Sequence, residues 1–340
     1  MKNVLITGGN GFIGSNFINY MVNKYPDINF YNYDCNYYCS SKKNTETINN
    51  KNNYKEYNDN IQSLDLLLRL FEIERIDTVI HFAAQSHVSN SFINPLQFTN
   101  DNIIGTHTLL EAIRISKENN KIAFNKFIYI STDEVYGDND TFDKDDIKTE
   151  SSGLNPTNPY AATKAAAEML VNSYFHSFKI PIIIVRSNNV YGKYQYYEKV
   201  IPKFIYQAID NKKITIQGNY GLNRRCFLYI DDFISGLELI LIKGNINEIY
   251  NIGSGNEITI IDLAKKIIMM TNDNINYENY NFNDRITFIE DRNYNDKRYY
   301  ISNQKLVELG WKQNYDFDRG LKETIEWYKA NRDYWTIELT

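Results

Sequence analysis

The chain has 340 residues, enough for a large core with a second lobe, either as one two-part domain or as two domains. A formal net charge of -5 leaves no basic surplus for a phosphate backbone, so a nucleic-acid partner is not expected. Three cysteines cannot build a disulfide framework, Cys35 and Cys39 lack the companion ligands of a zinc site, and neither a signal peptide nor a run of membrane-spanning length is present; a reduced, cytoplasmic protein without a metal is expected.

Val4-Leu5-Ile6-Thr7 reads as a buried first strand running into Gly8-Gly9-Asn10-Gly11-Phe12-Ile13-Gly14, then an amphipathic helix from Ser15 to about Asn23. Gly8, Gly11 and Gly14 at three-residue spacing allow a tight turn, close approach of a pyrophosphate and close helix packing, with free helix N–H groups facing the anion. A second strand, Phe30 to Asp34, ends in an acid about twenty residues past the glycines, where a carboxylate accepts from ribose hydroxyls. Asp34 would repel a 2′-phosphate and Asn10 supplies no cation for one, which favours NAD over NADP. The polar stretch from Asn36 to Asn60 reads as a loop or short helices before Ile61.

A helix from Leu64 to Phe71 precedes a strand over Thr78 to Phe82, and the small Ala83-Ala84 at its end let a cofactor pass close to the main chain. Gln85-Ser86-His87 follow at the mouth of the crevice, and His87 is the histidine expected near substrate. One helix is predicted from about Leu96 to Glu118. The next strand, Ile128-Tyr129-Ile130-Ser131, stops at Thr132-Asp133-Glu134. In an open α/β sheet the carboxyl ends of the strands border the ligand crevice, so this hydroxyl and two acids fall where a substrate would lie. The repeated β-α pattern is that of a doubly wound parallel sheet.

Asn155 to Pro159 are rich in turn formers, and the helix that follows opens on Tyr160-Ala161-Ala162-Thr163-Lys164. Tyr and Lys four apart share a helix face, and a cation beside a phenol lowers its pKa toward a value useful to a base. Pro181 to Arg186 is another buried strand. Beyond it the alternation loosens, and basic positions near Lys199, Arg225 and Arg298 are candidates to hold a diphosphate.

On these motifs the chain resembles the extended short-chain dehydrogenase/reductases, and among them the nucleoside-diphosphate-glucose 4,6-dehydratases (dTDP-glucose and UDP-glucose 4,6-dehydratases). The glycine motif, Asp34, Asn102, Thr132, Tyr160 and Lys164 are common to the family. Asp133-Glu134, Ala83-Ala84-Gln85-Ser86-His87-Val88, Asn189-Val190-Tyr191-Gly192, Glu198-Lys199-Val200-Ile201-Pro202 and Arg225-Cys226-Phe227-Leu228-Tyr229 resemble the dehydratases in particular. The resemblance implies a Rossmann domain over residues 1–187, joined by some later segments, and a smaller C-terminal α/β lobe over 188–335 that mainly binds the nucleotide sugar. It implies catalysis by Thr132, Asp133, Glu134, Tyr160 and Lys164. NAD contacts are implied at Gly8, Gly11, Phe12, Ile13, Gly14, Asp34, Asn60, Ile61, Ala83, Ala84, Tyr160 and Lys164. Substrate contacts are implied at Ser86, His87, Asn189, Glu198, Lys199, Arg225, Asn256 and Arg298.

Two departures stand out: Asn60-Ile61 replaces the usual Asp-Ile, and Asn293-Tyr294-Asn295 replaces Pro-Gly-His. Arg186 to Gly192 is more like the eukaryotic forms, which leans toward UDP-glucose. The implied reaction is C4 oxidation, elimination of water across C5 and C6, and return of hydride to C6, the first step toward rhamnose or another 6-deoxyhexose. A homodimer through the helices near 96–118 and 160–178 is also implied. A UDP-glucose 4-epimerase and a non-catalytic NAD-binding regulator are the alternatives, and the four residues Tyr160, Lys164, Asp133 and Glu134 weigh against the regulator.

Overall fold

A computed structural model describes residues 1–139, 141–143, 145–272 and 280–335. The first part of the chain runs β1 (Asn3–Thr7), α1 (Phe12–Lys24), β2 (Asn29–Asp34), β3 (Tyr54–Asn58), α2 (Leu64–Glu74), β4 (Thr78–His81), α3 (Val88–Ile93), α4 (Pro95–Phe98), α5 (Gly105–Glu118), β5 (Lys126–Thr132), α6 (Pro159–Phe178) and β6 (Ile182–Ser187). The later part runs β7 (Asn189–Tyr191), α7 (Val200–Ile209), β8 (Ile214–Gln217), β9 (Arg224–Tyr229), α8 (Ile230–Lys243), β10 (Glu248–Ile252), β11 (Glu257–Thr259), α9 (Ile260–Thr271), β12 (Ile286–Ile289), α10 (Gln304–Glu308) and α11 (Phe317–Ala330).

Seven strands form one sheet in the order β10-β6-β5-β4-β1-β2-β3, and every pair is parallel. Both faces are covered, because alternate side chains serve two cores: Val4 and Ile6 pack into one, Leu5 into the other. Each such aliphatic side chain removed from water contributes about 1.5–3 kcal/mol. The strand order reverses between β1 and β4, so the carboxyl ends Thr7 and His81, paired in register, border the crevice where such sheets bind ligands.

β10 reaches this sheet from late in the chain and pairs with β6, Ile252 opposite Ser187. The smaller lobe is built from a three-stranded sheet, β11-β9-β7, and a two-stranded one, β12-β8. The helices α7, α8, α9 and α11 cover these strands with apolar faces: Ile201, Phe233, Leu263 and Leu321 share one core with Val4. No helix among the described residues is long and apolar enough to cross a membrane.

Two expectations are corrected. The segment 36–60 is not only loop and short helix: a 3-10 helix covers Lys42–Ile48, and Tyr54–Asn58 forms the edge strand β3, paired with β2. Its sequence, Tyr-Lys-Glu-Tyr-Asn, carries too little apolar residue to read as a strand because an edge position is half solvated. The helix predicted over 96–118 is instead α4, a π-helical turn over Thr99–Ile104, and α5. The π turn buries Asn102, whose side-chain oxygen accepts from Gln85 N at 2.7 Å while its nitrogen donates to Gln85 O (3.0 Å) and Thr163 Oγ1 (2.9 Å). One amide thus ties the loop after β4 to α6, and widening the helix by a residue aims it there.

Candidate active site

A cavity of about 900 Å³ opens at the carboxyl ends of the parallel strands and runs on into the smaller lobe. One end is lined by Gly8, Gly11, Phe12, Ile13, Gly14, Asp34, Asn60, Ile61, Ala83 and Ala84, which the sequence assigned to a dinucleotide. Gly8 has φ +73°, and a Cβ on it would lie 2.7 Å from Ala83 N; a Cβ on Gly14 would lie 2.2 Å from Gly8 O. Only glycine fits either place. At the N-terminus of α1 no side chain caps the helix and no acid stands in the first turn, so its N–H groups and dipole are left for an anion.

Asp34 at the end of β2 accepts from Asn10 N (2.9 Å) and Asn36 N (2.7 Å), and burial raises its pKa against those two bonds. Asn10, read in the sequence only as a missing cation, is a buried junction: it accepts from Asn32 (2.7 Å) and donates to Asn36 (2.7 Å). It thereby holds the glycine loop against β2.

The middle of the cavity is lined by Ser131, Thr132, Glu134, Tyr160 and Lys164, where β5 ends and α6 begins. Thr132 caps a short 3-10 turn, Asp133–Tyr136, which turns the two acids in different directions. Glu134 faces the cavity and its Oε2 accepts from Asn158 Nδ2 at 3.0 Å. Asn158 also caps α6 by accepting from Ala161 N (2.9 Å), so the residue that starts the helix also fixes the carboxylate.

Asp133 lies just behind the wall, only 2% exposed, bonded by Asn188 Nδ2 at 2.7 Å and by the Thr132 hydroxyl at 3.2 Å. Burial raises its pKa to about 7, with the Asn188 bond opposing and the charge of Glu134 adding. Glu134 is also raised, by burial first.

The Tyr160–Lys164 pair is arranged differently from its spacing. Lys164 Nζ donates to Ile130 O at 2.7 Å and stands 4.2 Å over the ring of Tyr129, and burial lowers it to about 7 while Glu168 pulls it back up. Tyr160 is held far above the usual phenol range by burial and then by the charges of Glu134 and Asp133, with the Thr132 hydroxyl opposing. The lowering of the phenol expected from sequence is therefore not seen: desolvation outweighs a cation whose own charge is weakened and aimed at a carbonyl.

The far end is lined by Ser86, His87, Asn189, Glu198, Lys199 and Arg225, as the sequence assigned, and by Arg292 and Tyr299. Arg225 stacks 4.8 Å over Tyr299 and donates to Asp296 O (2.8 Å); Arg292 donates to Asn295 Oδ1 (2.7 Å). Burial and the neighbouring charge of Arg225 both lower the pKa of Arg292, and its buried Nε has no partner. Two guanidiniums that repel one another on one wall call for an anion between them.

Comparison with known proteins agrees with this layout. Residues 5–324 match the model of a family described as GDP-mannose 4,6 dehydratase. A dTDP-D-glucose 4,6-dehydratase of Dictyostelium discoideum is 45% identical over 98% of this chain and 83% of its own length. A trifunctional UDP-glucose 4,6-dehydratase of Arabidopsis thaliana is 44% identical over 98% of this chain, which matches about half of that protein (48%). The solved dTDP-glucose 4,6-dehydratase of Streptomyces venezuelae, which contains NAD, superposes with a TM-score of 0.88 at 32% identity, covering 98% of this chain and 99% of that one. The chain belongs to the extended short-chain dehydrogenase/reductase family, among its nucleotide-sugar epimerases and dehydratases.

Within this family frame two assigned residues fall away from the cavity. Arg298 is 1% exposed, and its Nε donates to Glu257 Oε1 at 2.5 Å while Nη1 donates to Asp143 O at 2.6 Å. It is fully used in holding β11 and the segment after β5 together. Asn256, on the turn before β11, does not line the cavity either; its carbonyl accepts from Phe227 N. Arg292, not Arg298, lines the cavity. The charged stretch 291–298 held the signal, but which of its arginines turns inward depends on the partners each meets.

Proposed function

We infer that the chain is an NAD-dependent nucleoside-diphosphate-glucose 4,6-dehydratase, a lyase that converts dTDP-glucose or UDP-glucose to the 4-keto-6-deoxyglucose nucleotide and water. The observation that carries this is the end of β5: Thr132 and Glu134 line one cavity with Tyr160, Lys164, Arg225 and Arg292, and Asp133 stands directly behind Thr132, 3.2 Å from its hydroxyl. A 4-epimerase needs no such pair of acids there.

NAD, when bound, takes hydride from the sugar's C4 and returns it at C6, with no net oxidation. The residues fit it: the uncapped start of α1 receives the pyrophosphate, Asp34 the ribose hydroxyls, and Gly8 and Ala83 leave room beside the main chain. The buried Ser131 Oγ, on the cavity wall without a partner, and Lys164 face the same space.

Tyr160, once ionised, accepts the proton of the sugar's 4-hydroxyl, with Thr132 positioning that oxygen; burial opposes that ionisation, and Lys164, bonded to Ile130 O, does not by itself offset it. Oxidation at C4 acidifies the neighbouring C5–H. Glu134, oriented by Asn158, takes that proton, and Asp133, still protonated near neutrality, gives its proton to the departing O6. Two adjacent carboxyls serve as base and acid because their environments differ: one faces the cavity, the other is enclosed behind Asn188. Arg225 and Arg292 hold the diphosphate, while Glu198, Lys199, His87, Ser86 and Asn189 border the sugar.

We further propose that residues 1–187 with β10 form the cofactor domain and the remainder the substrate lobe. Two copies pair through the helices near 96–118 (α4 and α5) and 160–178 (α6), where Leu96 on α4 (74%) and Met169 on α6 (57%) are exposed. The free state of all three cysteines supports a reducing compartment such as the cytoplasm. The deciding experiment incubates purified protein with dTDP-glucose and UDP-glucose separately and weighs the products. A product lighter by one water is expected; an unchanged mass with inverted C4 would mean a 4-epimerase.

A further inference from the structure

The reaction above has a hazard: between the two hydride transfers the cofactor is reduced, and losing it then would strand both enzyme and sugar. One feature of the fold bears on this. The loop after β2 walls the cavity from Asp34 outward through Cys35, Tyr37, Cys39 and Ser40, and Ser41 N donates to Asn10 O at 3.0 Å.

From its outer side this loop is tied across the cavity to the substrate lobe. The Tyr38 hydroxyl donates to the Glu198 carboxylate, 3.0 and 2.9 Å from its two oxygens, and accepts from Asn90 Nδ2 at 3.1 Å. The Tyr38 ring meets Tyr196 edge-on with centroids 5.4 Å apart. Tyr196 in turn stands edge-on against Trp335 at 4.9 Å. Its neighbour Tyr334 donates to Asn44 Oδ1 at 2.6 Å, and Lys43 lies 5.9 Å over its ring. The segment that follows the cofactor strand is therefore gripped twice, by the loop before α7 and by the residues that follow α11.

Tyr38 is 41% exposed, so these ties hold a surface loop rather than a core. A surface loop held by side-chain hydrogen bonds and ring contacts rather than by a buried core can open without unfolding its domain.

We propose that Tyr38, braced by Tyr196 and Trp335, is a latch that keeps the nicotinamide cofactor from leaving between the two hydride transfers. It rests on the proposed function, because a reaction that borrows and returns a hydride needs such retention. With the latch closed, Glu198 joins the cofactor wall to the substrate loop, so a bound sugar strengthens the hold on the cofactor. Tyr38 and Trp335 are positioning residues and touch no reacting atom.

The test measures release of NAD from purified, NAD-loaded protein into dilute solution, captured by a second dehydrogenase that reduces free NAD. Tyr38→Phe removes only the hydroxyl, and release is expected to quicken roughly tenfold, the scale of a lost hydrogen bond to a charged group. Activity of this variant should decay during turnover and return on adding free NAD, which a general loss of folding would not produce. Trp335→Ala should behave likewise and Trp335→Phe should stay near wild type. Unchanged release from Tyr38→Phe would overturn the proposal, whatever Trp335→Ala does. Failure of the dehydratase reading is seen separately, in the mass of the wild-type product.

Discussion

Asn188 Nδ2 lies 2.7 Å from Asp133 Oδ2, a bond between the residue that follows β6 and the acid that follows β5. Asn188 Oδ1 is occupied by Ser254 N at 3.0 Å, so the amide is fixed with its nitrogen toward the carboxyl. The acid so enclosed has a pKa of about 7, raised by burial. In the unfolded chain it titrates near 3.8. Below that pH both states hold the proton and nothing is lost. As pH rises from about 4 to about 7 the unfolded chain releases the proton while the folded one keeps it, so stability falls, and the penalty is complete above about 7.

Asp133→Asn should therefore stabilise the protein at pH 8 and leave stability unchanged at pH 4. Three pKa units correspond to an upper bound of about 4 kcal/mol. The same variant should form the oxidised sugar but eliminate water about a hundredfold more slowly. Thermal melts at the two pH values and single-turnover product analysis check the two halves. Normal elimination would remove Asp133 from the acid role.

In the wild type, the proton that Asp133 supplies is lost as pH passes its folded pKa. The rate of elimination should thus fall along a limb with a midpoint of about 7. A pH profile of kcat in which that limb is missing from Asp133→Asn would tie it to this residue.

Glu134→Gln should stop deuterium from solvent entering C5 of the product. Asn158→Ala should weaken the same exchange while leaving Glu134 in place, and should also lower stability by about 1 kcal/mol, since Asn158 caps α6 as well. Mass spectrometry of product made in heavy water reads the first effect and denaturant melts the second.

The two late arginines should separate cleanly. Arg292→Ala should raise KM for the nucleotide sugar with little change in kcat, the pattern of lost uniform binding. Arg298→Ala should instead destabilise the fold by about 1–3 kcal/mol, because it removes the buried guanidinium that holds Glu257 Oε1 and the carbonyls of Thr141 and Asp143. Equal effects of both changes on KM would return Arg298 to the substrate site.

Leu96→Glu together with Met169→Glu should give a monomer in sedimentation, because both are exposed apolar side chains on the helices proposed to pair. Persistence of the dimer would place the interface elsewhere.

Much of this site was legible in the chain because its parts are local. A strand, three glycines and a helix follow one another within the first two dozen residues, and Asp34, Thr132 and Ala83 sit at strand ends that a parallel sheet aligns whatever else happens. Tyr160 and Lys164 share a face by helix geometry alone. What the linear order could not decide was everything set by burial and by partners far along the chain. Burial behind Asn188, 55 residues away, raises the Asp133 pKa to about 7 although the Asn188 bond itself opposes the rise. Glu257 takes Arg298 out of the site and leaves Arg292 in it. Desolvation and the carbonyl of Ile130 undo the simple effect of Lys164 on Tyr160, and Glu198 turns Tyr38 from a loop residue into a tie between lobes. Spacing fixes which side chains lie on one edge or face; which of them are charged, and toward what, depends on the water and the neighbours that folding removes or brings.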